Sequence, residues 1–322
     1  MKRKERVAPR AAAPVRIGIH TSIAGRLERA ADRARELGCD AFQIFSSSPR
    51  NWAAAGLTSV EAEAFRERRH ALGLAPLVIH DNYLINLASA RPVQRARSIQ
   101  ALRGELERAR ALGADYLVMH PGSAVELPRA HAIKNVIEGL RQATRGFRLN
   151  GLRILLENTS GQGSALGADL EELAGMVRAL PELNLGVCLD TAHLFAAGYD
   201  LRSEGGLEET LARVHMAIGL DRVPVLHAND SKAPLGARVD RHEHIGKGKI
   251  GREAFRRILH HSALAGKTFI LETPIERDGD DRRNVETLRR LAGQLHPARR
   301  NGRARLYRAR PIRASAMKRE GH

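Results

Sequence analysis

Pro76-Leu-Val-Ile-His80 is followed by an amphipathic stretch from Pro92 to Leu112, by Gly113, and then by a second short apolar run, Asp115-Tyr-Leu-Val-Met-His120. An apolar run with no polar alternation is the pattern of a strand buried on both faces. The segment between the two runs is long enough to cross back over a parallel sheet, and the glycine after its last periodic residue is a helix stop. The same unit recurs along the chain. Further runs are Val15–His20, Asp40–Phe45, Arg153–Glu157, Leu185–Asp190, Pro224–His227 and Thr268–Glu272, which makes eight, with starts 25 to 44 residues apart. Helical pattern fills the other gaps, as in Arg26–Leu37, Ser59–Leu72 and Ala130–Leu149, with Gly38, Gly73 and Gly151 as stops. Eight βα units predict an α/β chain folded as a single (β/α)8 TIM barrel over residues 15–297. A doubly wound sheet has fewer strands and a phosphate-binding glycine turn after the first, whereas here the first strand runs into His20-Thr-Ser-Ile-Ala-Gly25. The G-x-G-x-x-G spacing of Gly246, Gly248 and Gly251 lies late in the chain inside a long loop, and does not support a nucleotide site.

Composition sets the outer bounds. The chain has 322 residues, 43% hydrophobic and 28% charged, enough to bury a sizeable core and unlike a disordered or collagenous sequence. No run approaches the roughly 18 apolar residues of a membrane span. The basic start Met1–Arg10 leads only into Ala11–Val15, too short for a signal-peptide core, so no membrane partner is expected and the cytoplasm is the expected location. Cys39 and Cys188 lack C-x-x-C spacing and read as buried thiols. A formal charge of +17 suggests a polyanionic partner, but residues 1–16 hold six basic residues against Glu5, and residues 299–322 hold nine against Glu320. The ends therefore carry +13 of the +17. Both are Ala/Arg/Pro-rich without an apolar period, and read as flexible basic arms, 1–14 and 298–322, that add non-specific affinity for nucleic acid.

The informative pattern lies at the strand ends. Run after run closes on a metal-ligating type: His80, His120, Glu157, Asp190, His227 and Glu272, with His20 at the end of the first. In a parallel barrel those ends open onto one face, so residues distant in sequence converge. Such a cluster repels itself and is costly to desolvate unless cations lie within it. Asp190-Thr-Ala-His193 adds an imidazole three residues after a carboxylate, and Asp240-Arg-His242 presents two donors on one side of an extended loop. Nine candidates result. Nitrogen and carboxylate oxygen without thiolate point to Zn2+ or Mn2+, and nine donors suit two or three clustered ions. The implied reaction is metal-assisted phosphoester hydrolysis, with isomerisation of a sugar by metal-polarised oxygens as the alternative. His70, His131, His215, His260, His261, His296 and His322 lie in helical or tail segments and receive no role, while His244 stands beside the site at most.

Three stretches carry a resemblance: His80-Asp-Asn-Tyr-Leu-Ile-Asn-Leu87, Gly186-Val-Cys-Leu-Asp-Thr-Ala-His-Leu-Phe-Ala-Ala-Gly-Tyr-Asp200, and His227-Ala-Asn-Asp-Ser-Lys232 continuing through Asp240-Arg-His242 to Ile245-Gly-Lys-Gly248. With His120-Pro-Gly-Ser123, Leu156-Glu-Asn-Thr159, Gly161-Gln-Gly163 and Leu271-Glu-Thr273, they resemble the endonuclease IV family of apurinic/apyrimidinic endonucleases over roughly residues 15 to 295. The resemblance implies a TIM barrel with three zinc ions, Mn2+ being admissible at one or more positions. It also implies incision of duplex DNA on the 5′ side of an abasic site, leaving a 3′-hydroxyl and a 5′-deoxyribose phosphate. By position, His80 and His120 would hold one ion with Glu157. Asp190, His227 and Glu272 would hold a second with Glu157 as the catalytic bridge, and His193, Asp240 and His242 the third. Arg50, in Ser48-Pro-Arg-Asn-Trp52, would enter the minor groove with Tyr83 and Leu84, which would fill the gap left by the flipped abasic nucleotide. Asn82, Ala228 and Ala237 depart from the family's commoner Ser or Thr, Leu and Ser. A monomer is expected, because loops that grip DNA need an open barrel mouth.

Overall fold

Every apolar run singled out as a strand forms one. The computed structural model describes residues 14–52 and 56–294, so the basic arms, apart from Pro14, lie outside the described residues. The strands are β1 (Arg16–His20), β2 (Ala41–Phe45), β3 (Leu77–His80), β4 (Tyr116–Met119), β5 (Arg153–Glu157), β6 (Gly186–Asp190), β7 (Val225–His227), β8 (Asp230–Ser231), β9 (His242–Glu243) and β10 (Thr268–Leu271). Eight of them close into a parallel barrel in the order β1-β10-β7-β6-β5-β4-β3-β2, while β8 and β9 form a small antiparallel ladder. The helices are α1 (Glu28–Glu36), α2 (Ser59–Ala71), α3 (Pro92–Ala111), α4 (Arg129–Thr144), α5 (Leu170–Ala179), α6 (Thr191–Ala197), α7 (Glu204–Ala217), α8 (Arg252–His260) and α9 (Asp280–Leu291).

The strand period of two builds the site from the core. Ala41, Val78, Val118, Leu155, Cys188, Val225 and Ile270 form a fully buried cluster inside the barrel, separate from the larger core between strands and helices. Two residues further along, on the same face of each strand or its immediate extension, stand Gln43, His80, His120, Glu157, Asp190, His227 and Glu272. The apolar layer is thus the floor of a polar one, and the strands aim seven polar side chains into the mouth.

One helix differs from expectation. The pattern predicts a helix to Leu149, but α4 ends at Thr144 and Gly146 turns the chain at φ 67°. Phe147 and Leu149 continue the apolar rhythm because they pack against the core from a turn. At the barrel floor, arginines of one helix bind the last carbonyls of the next. Arg66 of α2 reaches Ala111 O, Arg103 of α3 reaches Ala143 O at 3.2 Å, Arg141 of α4 reaches Ala179 O at 2.9 Å, and Arg178 of α5 reaches Ala217 O at 3.4 Å. A cation there satisfies orphan carbonyls and opposes the helix dipole.

Candidate metal centre

Glu157 stands at the middle of the mouth, fully buried, with both oxygens engaged. Its Oε2 lies 3.3 Å from His80 Nε2 and 3.5 Å from His120 Nε2, while its Oε1 lies 2.9 Å from His227 Nδ1 and 3.4 Å from His193 Nδ1. Glu272 approaches from β10, its Oε2 3.3 Å from His227 Nδ1. Asp190 ends β6 and caps α6: its Oδ1 accepts from His193 N at 2.8 Å, which is why an imidazole three residues on turns back into the site. Its Oδ2 accepts from Asn229 Nδ2 at 2.6 Å and lies 3.6 Å from His242 Nε2. Asp240 closes the outer side, 3.2 Å from His193 Nε2 and 3.3 Å from His242 Nε2.

Ligand-competent atoms gather into three groups within 4.8 Å: His80, His120 and Glu157; Glu157, Asp190, His227 and Glu272; and Asp190, His193 and His242. The first two coincide with groupings implied by the resemblance. In the third, Asp190 joins His193 and His242, while Asp240 touches both histidines from the loop side.

The charges show what such a cluster requires. Burial works against ionisation of Glu157, but the charges of His227 and His120 and hydrogen bonds from His193 and His227 hold it well below the usual carboxylate range. Glu272 and Asp240 are likewise lowered against burial, chiefly by His227 and by His193 respectively. Burial also opposes charge on His80, yet the Glu157 hydrogen bond and the Glu272, Glu157 and Asp81 charges raise it to about 9. His193 is raised well above the usual imidazole value despite burial, by the Asp190 charge and by hydrogen bonds to Asp240 and Glu157, and His227 likewise by the Glu272 and Glu157 charges. Without other cations, protons hold the cluster together. His242 Nε2 is buried and makes no hydrogen bond, although Asp240 and Asp190 lie 3.3 and 3.6 Å from it, so it is aimed into the group without a bonded partner. Burial pushes the thiol of Cys188, below the site, up to about 12, so it offers no thiolate. The donor set is imidazole and carboxylate, which fits divalent zinc or manganese.

Several supporting residues escape a search for ligand types. Gln43 bridges His227 Nε2, at 2.9 Å, to Glu272 and to His20 Nδ1 at 3.0 Å. His20 lies 3.4 Å from Glu272 Oε1 and stands beside the nine. Asn158 accepts from Asp190 N at 2.7 Å, and its carbonyl meets His193 Nδ1 at 2.9 Å. Gln162 Oε1 accepts from Asp240 N at 2.9 Å. Gln43 had a detectable signal: it follows the barrel-facing Ala41 by two residues, as each strand-end donor follows its own floor residue.

The mouth opens into a cavity of about 830 Å3 shared by His120, His193, Asp240, Tyr83, Leu84 and Asn82. Tyr83 is 63% exposed and stands edge-on to Phe45 at 5.1 Å, so its ring rises beside the candidate ligands with little packing to hold it for stability alone. Leu84 is half-buried and Arg50 exposed on the adjacent loop. Asn82 ties the two loops, donating to Asn51 O at 2.6 Å and accepting from Leu84 N at 2.8 Å. His244 points elsewhere, its Nδ1 accepting from Asn284 Nδ2 at 3.0 Å, because β9 ends at Glu243. His260 and His261 bond to Leu291 O and Glu208, away from the mouth. His296 and His322 lie outside the described residues.

Residues 31–292 match the xylose isomerase-like TIM barrel family of AP endonucleases. A relative named "Probable endonuclease 4" from Solibacter usitatus is 50% identical over 290 residues, 88% of this chain and 99% of its own. One of the same name from Halothermothrix orenii is 42% identical over 261 residues, 81% of this chain and 94% of its own. The crystal structure of endonuclease IV from Thermus thermophilus superposes with a TM-score of 0.77 at 41% identity, covering 87% of this chain and all of that one. A D-tagatose 3-epimerase-like protein superposes at 0.67 with 20% identity, covering 87% of this chain and 97% of its own, and shares the fold alone.

Proposed function

The chain belongs to the endonuclease IV family and is a DNA-hydrolysing enzyme of DNA repair, and from that premise we propose that it cuts the phosphodiester 5′ to an abasic site in duplex DNA. The products would be a 3′-hydroxyl and a 5′-deoxyribose phosphate. Three zinc ions are assigned, with Mn2+ admissible at one or more positions. His80, His120 and Glu157 would hold the first, and Glu157, Asp190, His227 and Glu272 the second. His193, Asp240 and His242 would hold the third, within reach of Asp190. When bound, clustered ions of this kind neutralise phosphate charge and make hydroxide available near neutral pH.

The chain's own residues do the rest. Glu157 stays ionised and keeps both oxygens turned to opposite sides of the mouth, which sets the first two donor groups side by side. Asp190 orients His193 through the helix cap, and Asn229 and Asn158 fix Asp190. Tyr83 and Leu84, which line the cavity, are assigned to occupy the gap in an abasic duplex, where extrusion is cheap because no base has to be unstacked. Arg50 stands on the loop that Asn82 ties to theirs, and is assigned to the minor groove. The protein is assigned as a monomer whose open mouth receives DNA, and its substrate places it with the nucleoid in the cytoplasm. Among the described residues no helix is long and apolar enough to cross a membrane.

The observation that carries this reading is the third donor group, His193 and His242 with Asp240, beside an exposed Tyr83. A free sugar needs neither. The test is incision of a labelled duplex bearing one abasic analogue, with and without prolonged chelation and with an intact duplex as control. Chelator-sensitive cleavage 5′ to the lesion, leaving a 3′-hydroxyl, is expected. No cleavage by protein shown to hold its metals would turn the reading towards a sugar isomerase.

A further inference from the structure

Gly246, Gly248 and Gly251 carry the spacing of a phosphate loop, but in the fold their N–H groups already hold an anion, and that anion is a side chain. Asp230, in β8 and fully buried, points into the loop. Its Oδ2 accepts from Gly246 N at 2.9 Å, Gly248 N at 3.0 Å and Gly251 N at 3.2 Å, and its Oδ1 from Ile250 N at 2.9 Å and Ser231 N at 2.8 Å. Two carboxylate oxygens offer about four lone-pair sites, so this one is saturated by backbone donors. The geometry is that of a nest closing on a free anion, with the anion supplied by the chain itself. A Cβ at residue 248 would lie 2.5 Å from both Asp230 Oδ1 and Ser231 O, so only glycine allows the loop to come this close.

The opposite edge of β8 carries the metal-facing segment. Asp230 pairs with Glu243 and Ser231 with His242, and Lys232 N donates to Arg241 O at 2.9 Å. Lys249 N donates to Ser231 O at 2.7 Å, which pins the glycine loop to the same two residues. The short strand β8 is therefore held between the glycine loop and β9. Donors of the first two metal groups stand at the ends of barrel strands, whereas His242 and Asp240 belong to a long excursion with no barrel strand under it.

We propose that Asp230 is a positioning residue. Its carboxylate clasps the glycine loop so that β8 is rigid, β9 keeps its register, and His242 with Asp240 is held over Asp190 and His193. The inference rests on the proposed three-ion reading, because it is the third group that the clasp serves. Consequently loosening the clasp weakens one ion and spares two.

The test compares the wild-type chain with Asp230→Asn, which keeps the size but turns an amide donor towards N–H groups. Zinc content is measured after equilibration against graded zinc buffers, together with amide hydrogen exchange. The wild-type chain is expected to retain three equivalents. The variant should retain two with unchanged affinity and lose the third about 10- to 100-fold more easily, the range for partners that orient metal ligands. Exchange should quicken in residues 240–251 and stay unchanged in the barrel strands. Gly248→Ala pushes on the clasp from the loop side and should give the same selective loss, so it carries the test if Asp230→Asn does not fold. Even loss of all three equivalents, full retention of the third, or failure of both variants to fold would overturn the inference. A wild-type chain that retains fewer than three equivalents refutes the three-ion reading itself, whereas even loss from a three-equivalent protein refutes only the role of Asp230.

Discussion

Replacing Glu157 with Gln removes one negative charge and nearly nothing else, so its effect can be worked from the contacts. Four imidazole nitrogens lie 2.9 to 3.5 Å from its two oxygens, and Glu157 itself is fully buried. Leaving a buried charge network one partner short costs about 3–5 kcal/mol, whether the cations opposite the carboxylate are protonated imidazoles in the metal-free chain or bound ions in the loaded one. If that loss falls on the transition state, it corresponds to roughly 10²- to 10⁴-fold in rate. Because volume is conserved, the barrel should keep its fold, with a melting temperature lowered near neutral pH where the carboxylate would have been ionised. The metal-free chain provides an independent check. Glu157 is held below its ordinary value of 4.5, so its ionisation adds stability above that pH, lost as pH falls through the lowered value. The melting temperature of metal-free Glu157→Gln should therefore fall less steeply on acidification than that of metal-free wild type. Single-turnover incision of an abasic-analogue duplex, with metal content measured on the same samples, gives the rate. Near wild-type incision at full metal content would remove Glu157 from its assigned role.

Three further outcomes follow from other parts of the molecule. Zinc loading near pH 7.5 should release at least three protons, one each from His80, His193 and His227, since metal binding requires neutral imidazole, with any further release coming from water made acidic by the ions. Titration calorimetry in buffers of different ionisation enthalpy reads this number, and heats independent of buffer would contradict it. Tyr83→Ala should leave the melting temperature nearly unchanged, because the ring is 63% exposed, yet weaken abasic-duplex binding by about 1–3 kcal/mol, the value of one aromatic stacking contact. Equal affinity of the two proteins for an abasic duplex would exclude the wedge role. If half of the +12 that trimming to residues 15–297 removes meets phosphate, the slope of log affinity against log salt should flatten by roughly 5 to 6, and identical slopes would leave the arms without a DNA role.

The barrel was legible because strands buried on both faces read as unbroken apolar runs, and because a parallel barrel turns all their ends to one side. Nine candidate donor positions can be named from strand ends and two short motifs, because a cluster of imidazoles and carboxylates turned to one mouth repels itself unless cations lie within it. The residues that orient them were harder to see. Gln43 is no metal-ligating type, and Asn158 and Asn229 look like turn residues until their amides are found on Asp190, across 32 and 39 positions of sequence. The shared position of Asp190 depends on which oxygen the helix cap consumes, a fact of rotamer and not of spacing. The end of α4 was misread because Phe147 and Leu149 keep an apolar rhythm that a packed turn satisfies as well as a helix does.

Charge is the property on which sequence and structure differ most in meaning. Arg66, Arg103, Arg141 and Arg178 serve helix ends at the barrel floor, on the face opposite the mouth, so they add to the net charge without addressing DNA. The mouth itself is acidic, with Glu157, Asp190, Asp240 and Glu272 around the place where a phosphate must come. Protons on His80, His193 and His227 leave these four carboxylates at about −1, whereas three divalent ions with neutral imidazoles leave about +2. A change of about three charges acting at about 10 Å through a water-like medium is about 1.2 kcal/mol per phosphate charge, or roughly tenfold in affinity. Metal loading should thus reverse the sign of the field that DNA meets. Fluorescence anisotropy with an abasic duplex at low salt should show at least about tenfold weaker binding by the metal-free chain, and the difference should shrink as salt screens the mouth. Equal or tighter binding by the metal-free chain would show that affinity is set elsewhere, and the basic arms would then be the first place to look.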